Sequence, residues 1–162
     1  MTLVDTNVLL DLVTDDLDWA EWSIEQLETA SLNGPLLIND VVYAELSVRY
    51  SRIEDLDAFL DAAGIQIAAI PRPALFLAGK VFTRYRQLGG TRTGVLPDFF
   101  IGAHAAVSNL PLLTRDVGGY HTYFPPLAGC AVVGLHTFEE MLHLINLLHI
   151  LERRPATPLF VT

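Results

Sequence analysis

The chain has 162 residues, 51% of them apolar, and a formal net charge of −9 at pH 7. This length favours a single domain, and this apolar content suffices for a full core and is too high for a disordered chain. An acidic protein does not bind nucleic acid through its overall charge, and the single cysteine, Cys130, excludes an internal disulfide and a multi-cysteine zinc cluster.

The charge is unevenly distributed along the chain. Residues 1–61 hold fourteen acidic and two basic side chains, and residues 62–138 hold two acidic and six basic ones. Residues 139–162 carry a net charge of −1. The positive middle segment leaves room for a local phosphate-binding face. Arg84, Arg86 and Arg92 are candidate contacts, because guanidinium groups bind phosphate bidentately, although exposed solubilising charge is the commoner role of such residues.

Neither a membrane span nor a secretory signal is expected. The longest apolar run, 141–151, is interrupted by His143, Asn146 and His149, and it is too short to cross a bilayer. The N-terminal residues include Asp5 and lack a basic region. With a single cysteine, the expected location is the cytoplasm.

Strand-like and helix-like segments alternate along the chain. The predicted strands are 2–5, 35–38, 65–70, 112–114 and 131–133. The predicted helices are one capped by Thr6, one capped by Asn39 or Asp40, and those at 20–33, 54–63, 73–88, 97–107 and 138–151. This alternation predicts an α/β fold with a short, mostly parallel sheet of about five strands and helices on both faces.

The last predicted helix suggests an addition to the main domain. We expect one domain over residues 1–136 and an additional helix and tail over 137–162. Apolar residues cover nearly all sides of 138–151, and a helix that is apolar all round is normally buried. It is therefore expected to pack on the domain, on a second copy of the chain or on a partner.

Four acidic residues occupy apolar neighbourhoods at related places in the predicted fold. Asp5 closes the first strand, Glu45 lies in the second turn of its helix, Asp98 lies in the first turn of another, and Asp116 follows a later strand. Ligands of parallel sheets bind beyond the carboxyl ends of the strands. Carboxylates avoid apolar surroundings unless they are paired, hydrogen-bonded or bound to a cation, so the sequence suggests a divalent-metal site.

The chemistry of such a site follows from its ligands. Hard cations such as Mg²⁺ and Mn²⁺ prefer oxygen ligands, and they orient and activate water while neutralising charge on a phosphate. The chain has no Ser-His-Asp order, no reactive Cys–His pair and no GxxxxGK[ST] loop.

Each of the four acids also has a structural explanation. Asp5 could cap a helix, and Glu45 could form an exposed ion pair with Arg49, four residues further on. Asp98 would be favoured by the helix dipole whatever its function, and Asp116 could be a turn residue.

Neighbouring polar and aromatic residues allow similar alternatives. Thr114 could be an ordinary strand residue and Asn7 could lie on a helix surface. His104 is expected in the core and His121 at the surface. The pair Trp19 and Trp22 could line a groove for a partner segment or fill the core.

Four segments, in order, resemble the PIN-domain family and, more narrowly, VapC-type toxins of toxin–antitoxin modules. They are LVDTNVLLDL (3–12), VVYAELSVRY (41–50), VLPDFFIGAHA (95–105) and LLTRDVGGYHTYFP (112–125). The resemblance implies a metal-dependent endoribonuclease that is silenced by a small cognate antitoxin and forms a homodimer.

The resemblance also assigns roles to residues. Asp5, Glu45, Asp98 and Asp116 match the catalytic quartet, with Asp5, Asp98 and Asp116 as ligands of Mg²⁺ or Mn²⁺. Asn7 and Thr114 match supporting residues of the family. If the substrate is RNA, the phosphate contacts expected from charge alone, Arg84, Arg86 and Arg92, would be contacts to RNA phosphate. It further implies in-line attack by water, leaving 5′-phosphate and 3′-hydroxyl ends. The segment 137–162 departs from VapC-type chains, which commonly end soon after the strand that follows the last Asp.

Other functions remain open at this point. The chain could be a PIN-fold nuclease that acts on DNA or in RNA processing without an antitoxin, or a non-catalytic binding module. A haloacid-dehalogenase-like phosphatase needs a second acid two residues after its nucleophilic Asp, and Asn7 occupies that position.

Overall fold

The structure is a computed structural model, and it describes residues 1–124. The predicted strand 131–133, the predicted helix 138–151 and the expected domain boundary after residue 136 lie outside the described residues.

A parallel four-stranded sheet forms the centre of residues 1–124, with the strand order β3-β2-β1-β4. The strands are β1 (Thr2–Val4), β2 (Leu36–Ile38), β3 (Ile65–Ile67) and β4 (Leu112–Leu113). The prediction of an α/β fold on a parallel sheet is confirmed. The third strand is shorter than predicted, since it ends at Ile67 rather than at residue 70.

Helices connect these strands in chain order. They are α1 (Thr6–Val13), α2 (Ala20–Leu32), α3 (Asp40–Ser47), α4 (Ile53–Ala62), α5 (Arg72–Gln87), α6 (Pro97–Ser108) and α7 (Val117–Tyr123). The first six lie where helices are predicted, and the four for which both bounds are predicted agree to within one residue. Helix α7 was not predicted, because the pair Gly118 and Gly119 argues against a helix, and it begins where the Asp116 carboxylate accepts a hydrogen bond from the Gly119 N–H at 3.0 Å.

The start of α1 corrects one expectation. Asp5, not Thr6, is the N-cap: its backbone is extended and its side chain accepts a hydrogen bond from the Thr6 N–H. Thr6 is the first helical residue, which leaves its hydroxyl free for another partner.

The strand order places a topological switch point between β1 and β4. The chain moves from β1 to β2 and then to β3 in one direction, and the connection through α5 and α6 returns it to the far side of β1. Crossovers between parallel strands are nearly always right-handed, so the outward and return connections cover opposite faces of the sheet. A crevice therefore opens beyond the carboxyl ends of β1 and β4, where α/β proteins bind ligands.

The core lies between this sheet and the helices. Leu3 and Val4 of β1 are fully buried, as are Phe99 and Ile101 of α6. His104 is buried as predicted, and burial lowers its pKa. In the part of the chain described, no helix is both long and apolar enough to cross a membrane.

Two helical glycines provide a test of the packing between α6 and the residue that follows α7. A Cβ at Gly102 would lie 2.4 Å from the ring of Phe124, which is buried, whereas a Cβ at Gly79 of α5 would meet nothing within 4 Å. Both alanine substitutions gain similar helix propensity, but only Gly102→Ala overpacks the core. We expect urea unfolding to show Gly102→Ala less stable than Gly79→Ala by roughly 1–3 kcal/mol. Equal stability of the two variants would contradict this packing.

Candidate active site

Asp5 lies at the carboxyl end of β1 and is only 3% exposed. Its Oδ1 accepts a hydrogen bond from the Thr6 N–H at 2.7 Å, and its Oδ2 accepts one from the Asn7 amide at 2.6 Å and one from the Thr114 hydroxyl at 2.6 Å. These three donors fix the orientation of the carboxylate. Asp5 therefore both caps α1 and presents a rigid acidic group to the crevice.

The pKa of Asp5 indicates which other acids share this crevice. Burial is the main cause that raises it, and the charges of Asp98 and Glu45 raise it further, while hydrogen bonds from Thr114 and Thr6 lower it. The result is a rise in pKa from 3.8 to about 6. This rise in pKa agrees with a site that Asp5 shares with Asp98 and Glu45.

Glu45 is half-buried on α3 and is held by a residue of α1. The hydroxyl of Thr6 donates a hydrogen bond of 2.5 Å to Glu45 Oε2. Because Asp5 caps the helix, Thr6 is available to orient Glu45. Within residues 1–124 there is no ion pair between Glu45 and Arg49, so the structural explanation for this acid is not supported.

Asp98 and Asp116 form the open side of the crevice. Both side chains reach solvent. The pKa of Asp98 is nevertheless raised, chiefly by desolvation from surrounding protein atoms and then by the charges of Glu45 and Asp116. The electrostatic links among Asp5, Asp98, Glu45 and Asp116 thus connect all four predicted acids.

Asn7 and Thr114 connect the acids on β1 and β4. The Asn7 amide donates to Asp5 and also to the Thr114 hydroxyl at 3.0 Å, and Asn7 Oδ1 accepts from the Arg115 N–H at 3.1 Å. The Thr114 hydroxyl accepts from the Asp116 N–H at 3.0 Å while it donates to Asp5. Both residues join Asp5 to the segment that carries Asp116. The supporting role that the resemblance implies for them stays a prediction.

The donor set is chemically suited to a hard divalent cation, because it consists of carboxylate oxygens. In residues 1–124, however, no three Asp, Glu or His side chains are grouped tightly enough to hold an ion as they stand. Burial is the main cause of the raised pKa values of Asp5 and Asp98, and repulsion from the neighbouring carboxylates raises them further. A bound cation would draw these side chains together and relieve this repulsion.

One buried ion pair near the site was missed by sequence reasoning. Arg115 contacts Asp11 Oδ1 at 3.0 Å, the Ser23 hydroxyl donates to Asp11 Oδ2 at 2.6 Å, and the Arg115 guanidinium lies 5.0 Å from the ring of Trp19. Asp11 is 2% exposed. The signal for the pair was a polar residue, Asp11, on the apolar face of α1.

The tryptophans are divided between core and surface. Trp22 packs against the core, while Trp19 is 43% exposed and meets the Trp22 ring edge-on at 5.8 Å. His121 is exposed, as predicted.

The three candidate phosphate contacts have different environments. Arg86 donates to the backbone carbonyls of Gly90 at 3.0 Å and Arg92 at 2.9 Å, so it fixes the loop that leads to α6. Arg84 and Arg92 are exposed. A contact from any of the three to phosphate remains a prediction.

Tyr120 of α7 was also missed. Its side chain is 2% exposed, and its hydroxyl has no hydrogen-bond partner within the described residues. Burial raises its pKa, and the charges of Asp5 and Asp98 raise it further. Tyr120 lies one helical turn after Asp116, on a helix that sequence reasoning did not predict.

Comparison with known proteins agrees with this architecture. The family model for the PIN domain matches residues 2–124, which is most of the chain. A parallel α/β fold with acids gathered beyond the strand ends is thus that of a PIN domain, and the chain belongs to the PIN domain family. No curated protein sequence gives a significant match.

Solved structures with the same fold include chains from three bacteria. A chain of VapBC2 from Rickettsia felis, solved bound to a DNA fragment from its promoter, has 21% identity and a TM-score of 0.59, over 76% of this chain and 92% of that chain. A chain of a toxin–antitoxin complex from Klebsiella pneumoniae has 21% identity and a TM-score of 0.53, over 77% of this chain and 93% of that chain. A chain of FitAcB from Neisseria gonorrhoeae has 20% identity and a TM-score of 0.52, over 76% of this chain and 93% of that chain.

Proposed function

We propose that this protein is a metal-dependent endoribonuclease and the toxin of a toxin–antitoxin module. The observation that carries the proposal is the hydrogen-bond network at the switch point of the sheet, which joins Asp5 to Glu45 through Thr6 and to Asp116 through Thr114. The charges of Glu45 and Asp116 also contribute to the raised pKa of Asp98. The family membership and the fold shared with toxin–antitoxin complexes support the same assignment.

The roles of the acids follow from their surroundings. Asp5, Asp98 and Asp116 would hold Mg²⁺ or Mn²⁺, with Asp5 fixed by its three hydrogen bonds. A bound cation supplies activation of water and neutralisation of phosphate charge. Glu45, whose carboxylate accepts a hydrogen bond from Thr6, would accept a proton from the attacking water.

The reaction is a hydrolysis of the RNA backbone. Water attacks phosphorus in line with the leaving oxygen, the bond from phosphorus to the 3′ oxygen breaks, and the oxygen leaves as a 3′-hydroxyl. The new ends are a 5′-phosphate and a 3′-hydroxyl. Arg84 and Arg92, exposed on α5 and the loop before α6, are the candidate contacts to the RNA phosphates.

The proposed partners are a small cognate antitoxin and a second copy of the chain, and the proposed compartment is the cytoplasm. The fold shared with a toxin–antitoxin complex from Klebsiella pneumoniae supports the antitoxin. Expression of the chain alone should arrest growth, and co-expression of a small protein encoded beside it should restore growth. Unimpaired growth with the chain alone would contradict the toxin role.

The biochemical test separates RNA from DNA as substrate and metal-dependent from metal-independent cleavage. Antitoxin-free protein is incubated with total cellular RNA or with single- and double-stranded DNA, in EDTA, Mg²⁺ or Mn²⁺. We expect cleavage of RNA alone, only with a divalent cation, at discrete positions. Cleavage of DNA would favour the alternative PIN-fold nuclease, and no cleavage under any metal would favour a non-catalytic binding module.

A further inference from the structure

The loop 89–96 joins α5 to α6, and one side chain of α5 holds its first residues in place. The Tyr85 hydroxyl accepts a hydrogen bond from the Thr91 N–H at 3.1 Å and another from the Arg92 N–H at 3.2 Å. Gly90 lies so close to the ring of Tyr85 that a Cβ at this position would overlap the ring. The start of the loop is therefore built around Tyr85 and requires a glycine at position 90.

Arg92 is fixed by its backbone, whereas its side chain has no partner in the described fold. Arg86 donates a hydrogen bond to the Arg92 carbonyl at 2.9 Å, so the N–H and the C=O of Arg92 are both held by side chains of α5. Arg92 is exposed, and its guanidinium forms no hydrogen bond or ion pair within residues 1–124. A fixed backbone lowers the entropy that such a group loses when it binds a ligand.

The same tyrosine connects this loop to the candidate active site. The ring of Tyr85 meets the ring of Phe99 edge-on, with centroids 5.8 Å apart. Phe99 is buried in the first turn of α6 and directly follows Asp98. Tyr85 thus contacts both the backbone of Arg92 and the helical turn that carries Asp98. The loop borders the open side of the crevice at Asp98.

Charge indicates the kind of ligand that this loop suits. Residues 62–97 contain five basic side chains and no acidic one, although the whole chain has a net charge of −9. Arg84, near the end of α5, is exposed and, like Arg92, forms no ion pair within the described residues. The four acids of the crevice repel a polyanion such as RNA, and a fixed guanidinium beside them offers its phosphates a favourable contact.

We propose that the loop 89–96 is a preformed contact for the phosphate backbone of RNA, in which Arg92 binds phosphate and Tyr85 is the positioning residue. This inference rests on the proposed function and adds the side chain that orients the phosphate contact. Arg86 donates to two carbonyls of the loop, so it acts with Tyr85 on the loop rather than on the RNA. The Tyr85 hydroxyl does not contact the substrate.

The first test measures how the protein binds a short, fluorescein-labelled, single-stranded RNA of randomised sequence. Fluorescence anisotropy is recorded in EDTA, which prevents metal-dependent cleavage, over a range of KCl concentrations. Arg92→Gln should bind roughly 10-fold more weakly at low salt, the value of one charge-assisted hydrogen bond. The slope of log affinity against log salt concentration should be shallower by about 0.7, which corresponds to one lost phosphate contact on a single strand.

Arg49→Gln is the matched control for this test. Arg49 is also exposed and forms no ion pair within residues 1–124, but it lies between α3 and α4, in the acidic part of the chain. We expect Arg49→Gln to bind the RNA like the wild type. Equal affinity and equal salt slope for Arg92→Gln and Arg49→Gln would overturn the inference.

The second test concerns the Tyr85 hydroxyl. Tyr85→Phe keeps the ring contact with Phe99 but releases the loop. RNA binding should weaken roughly 2- to 10-fold, the range for ordering one long side chain on binding. Combined with Arg92→Gln, the substitution should cause no further loss, because it acts through Arg92. Tyr43→Phe, which removes a hydroxyl that donates to Asp57 at 2.8 Å, should bind like the wild type.

Stability and additivity separate a positioning role from a structural one. Tyr85→Phe should melt close to the wild-type temperature, because its ring stays packed and the two released N–H groups can bind water. A failure of Tyr85→Phe to fold, or losses in RNA affinity that add in the double variant, would overturn the positioning role.

The same experiments distinguish failure of this inference from failure of the proposed function. If the wild type cleaves RNA with Mg²⁺ or Mn²⁺ but binds the RNA probe in EDTA no better than Arg92→Gln does, only the inference is overturned. If the wild type neither binds the probe nor cleaves RNA, both are overturned.

Discussion

Replacing Asp5 with asparagine should reduce RNA cleavage by more than about 100-fold, because even outer-shell partners of metal ligands are worth roughly 10- to 100-fold. The substitution removes the only buried charge among the four acids. It also turns one carboxylate oxygen into an amide that donates. In the wild type, Oδ2 of Asp5 accepts a hydrogen bond from the Asn7 amide. If the amide nitrogen of the substituted asparagine took this position, two donors would face each other.

The matched control is Asp61→Asn. Asp61 is an exposed acid on α4, and its substitution makes the same change in charge and shape at the surface. We expect its cleavage rate to equal that of the wild type. An Asp5→Asn protein that folds normally and cleaves RNA at the wild-type rate would remove Asp5 from the catalytic site.

The second large effect concerns pH and the stability of the metal-free protein. Folding raises the pKa of Asp5 from 3.8 to about 6, so the folded state holds more protons than the unfolded state between these values. The stabilisation from this group is complete below about pH 4 and is lost as the pH rises through about 6. The free energy of unfolding then falls by roughly 3 kcal/mol on account of this group. The metal-free protein should therefore be less stable at about pH 7.5 than at about pH 5 on account of Asp5.

A divalent cation should reverse this trend. It binds the ionised form of Asp5, so Mn²⁺ should stabilise the protein strongly at about pH 7.5 and weakly at about pH 5, where it competes with a proton. Urea unfolding of the wild type and of Asp5→Asn, each in EDTA and in Mn²⁺ at the two pH values, isolates the contribution of this group. An equal effect of Mn²⁺ at both pH values would contradict the account of Asp5.

The parallel α/β fold could be predicted because its elements have strong local signals. Apolar strands bounded by caps, Pro97 at the first position of α6 and the glycines after α2 and α4 define most of the boundaries. The four acids could be predicted because strand ends and early helical turns meet at one edge of a parallel sheet.

Other parts of the site could not be predicted, because they depend on which residues meet across the fold. The Thr6 hydroxyl has no local partner once Asp5 caps α1, and its bond to Glu45 spans thirty-nine positions in sequence. Asn7 joins Thr114 across one hundred and seven positions. Helix α7 has two glycines near its start and begins at an acid that sequence reasoning assigned to the site or to a turn, so Tyr120 on it gave no local signal.

The most direct test of metal-dependent RNA hydrolysis is the chemistry of the cut ends. RNA from cells expressing the wild type or Asp5→Asn is sequenced with methods that distinguish 5′-phosphate from 5′-hydroxyl ends. Metal-dependent hydrolysis predicts new 5′-phosphate and 3′-hydroxyl ends at discrete positions with the wild type and none with Asp5→Asn. New 5′-hydroxyl and 2′,3′-cyclic phosphate ends, or the same ends with both proteins, would contradict it.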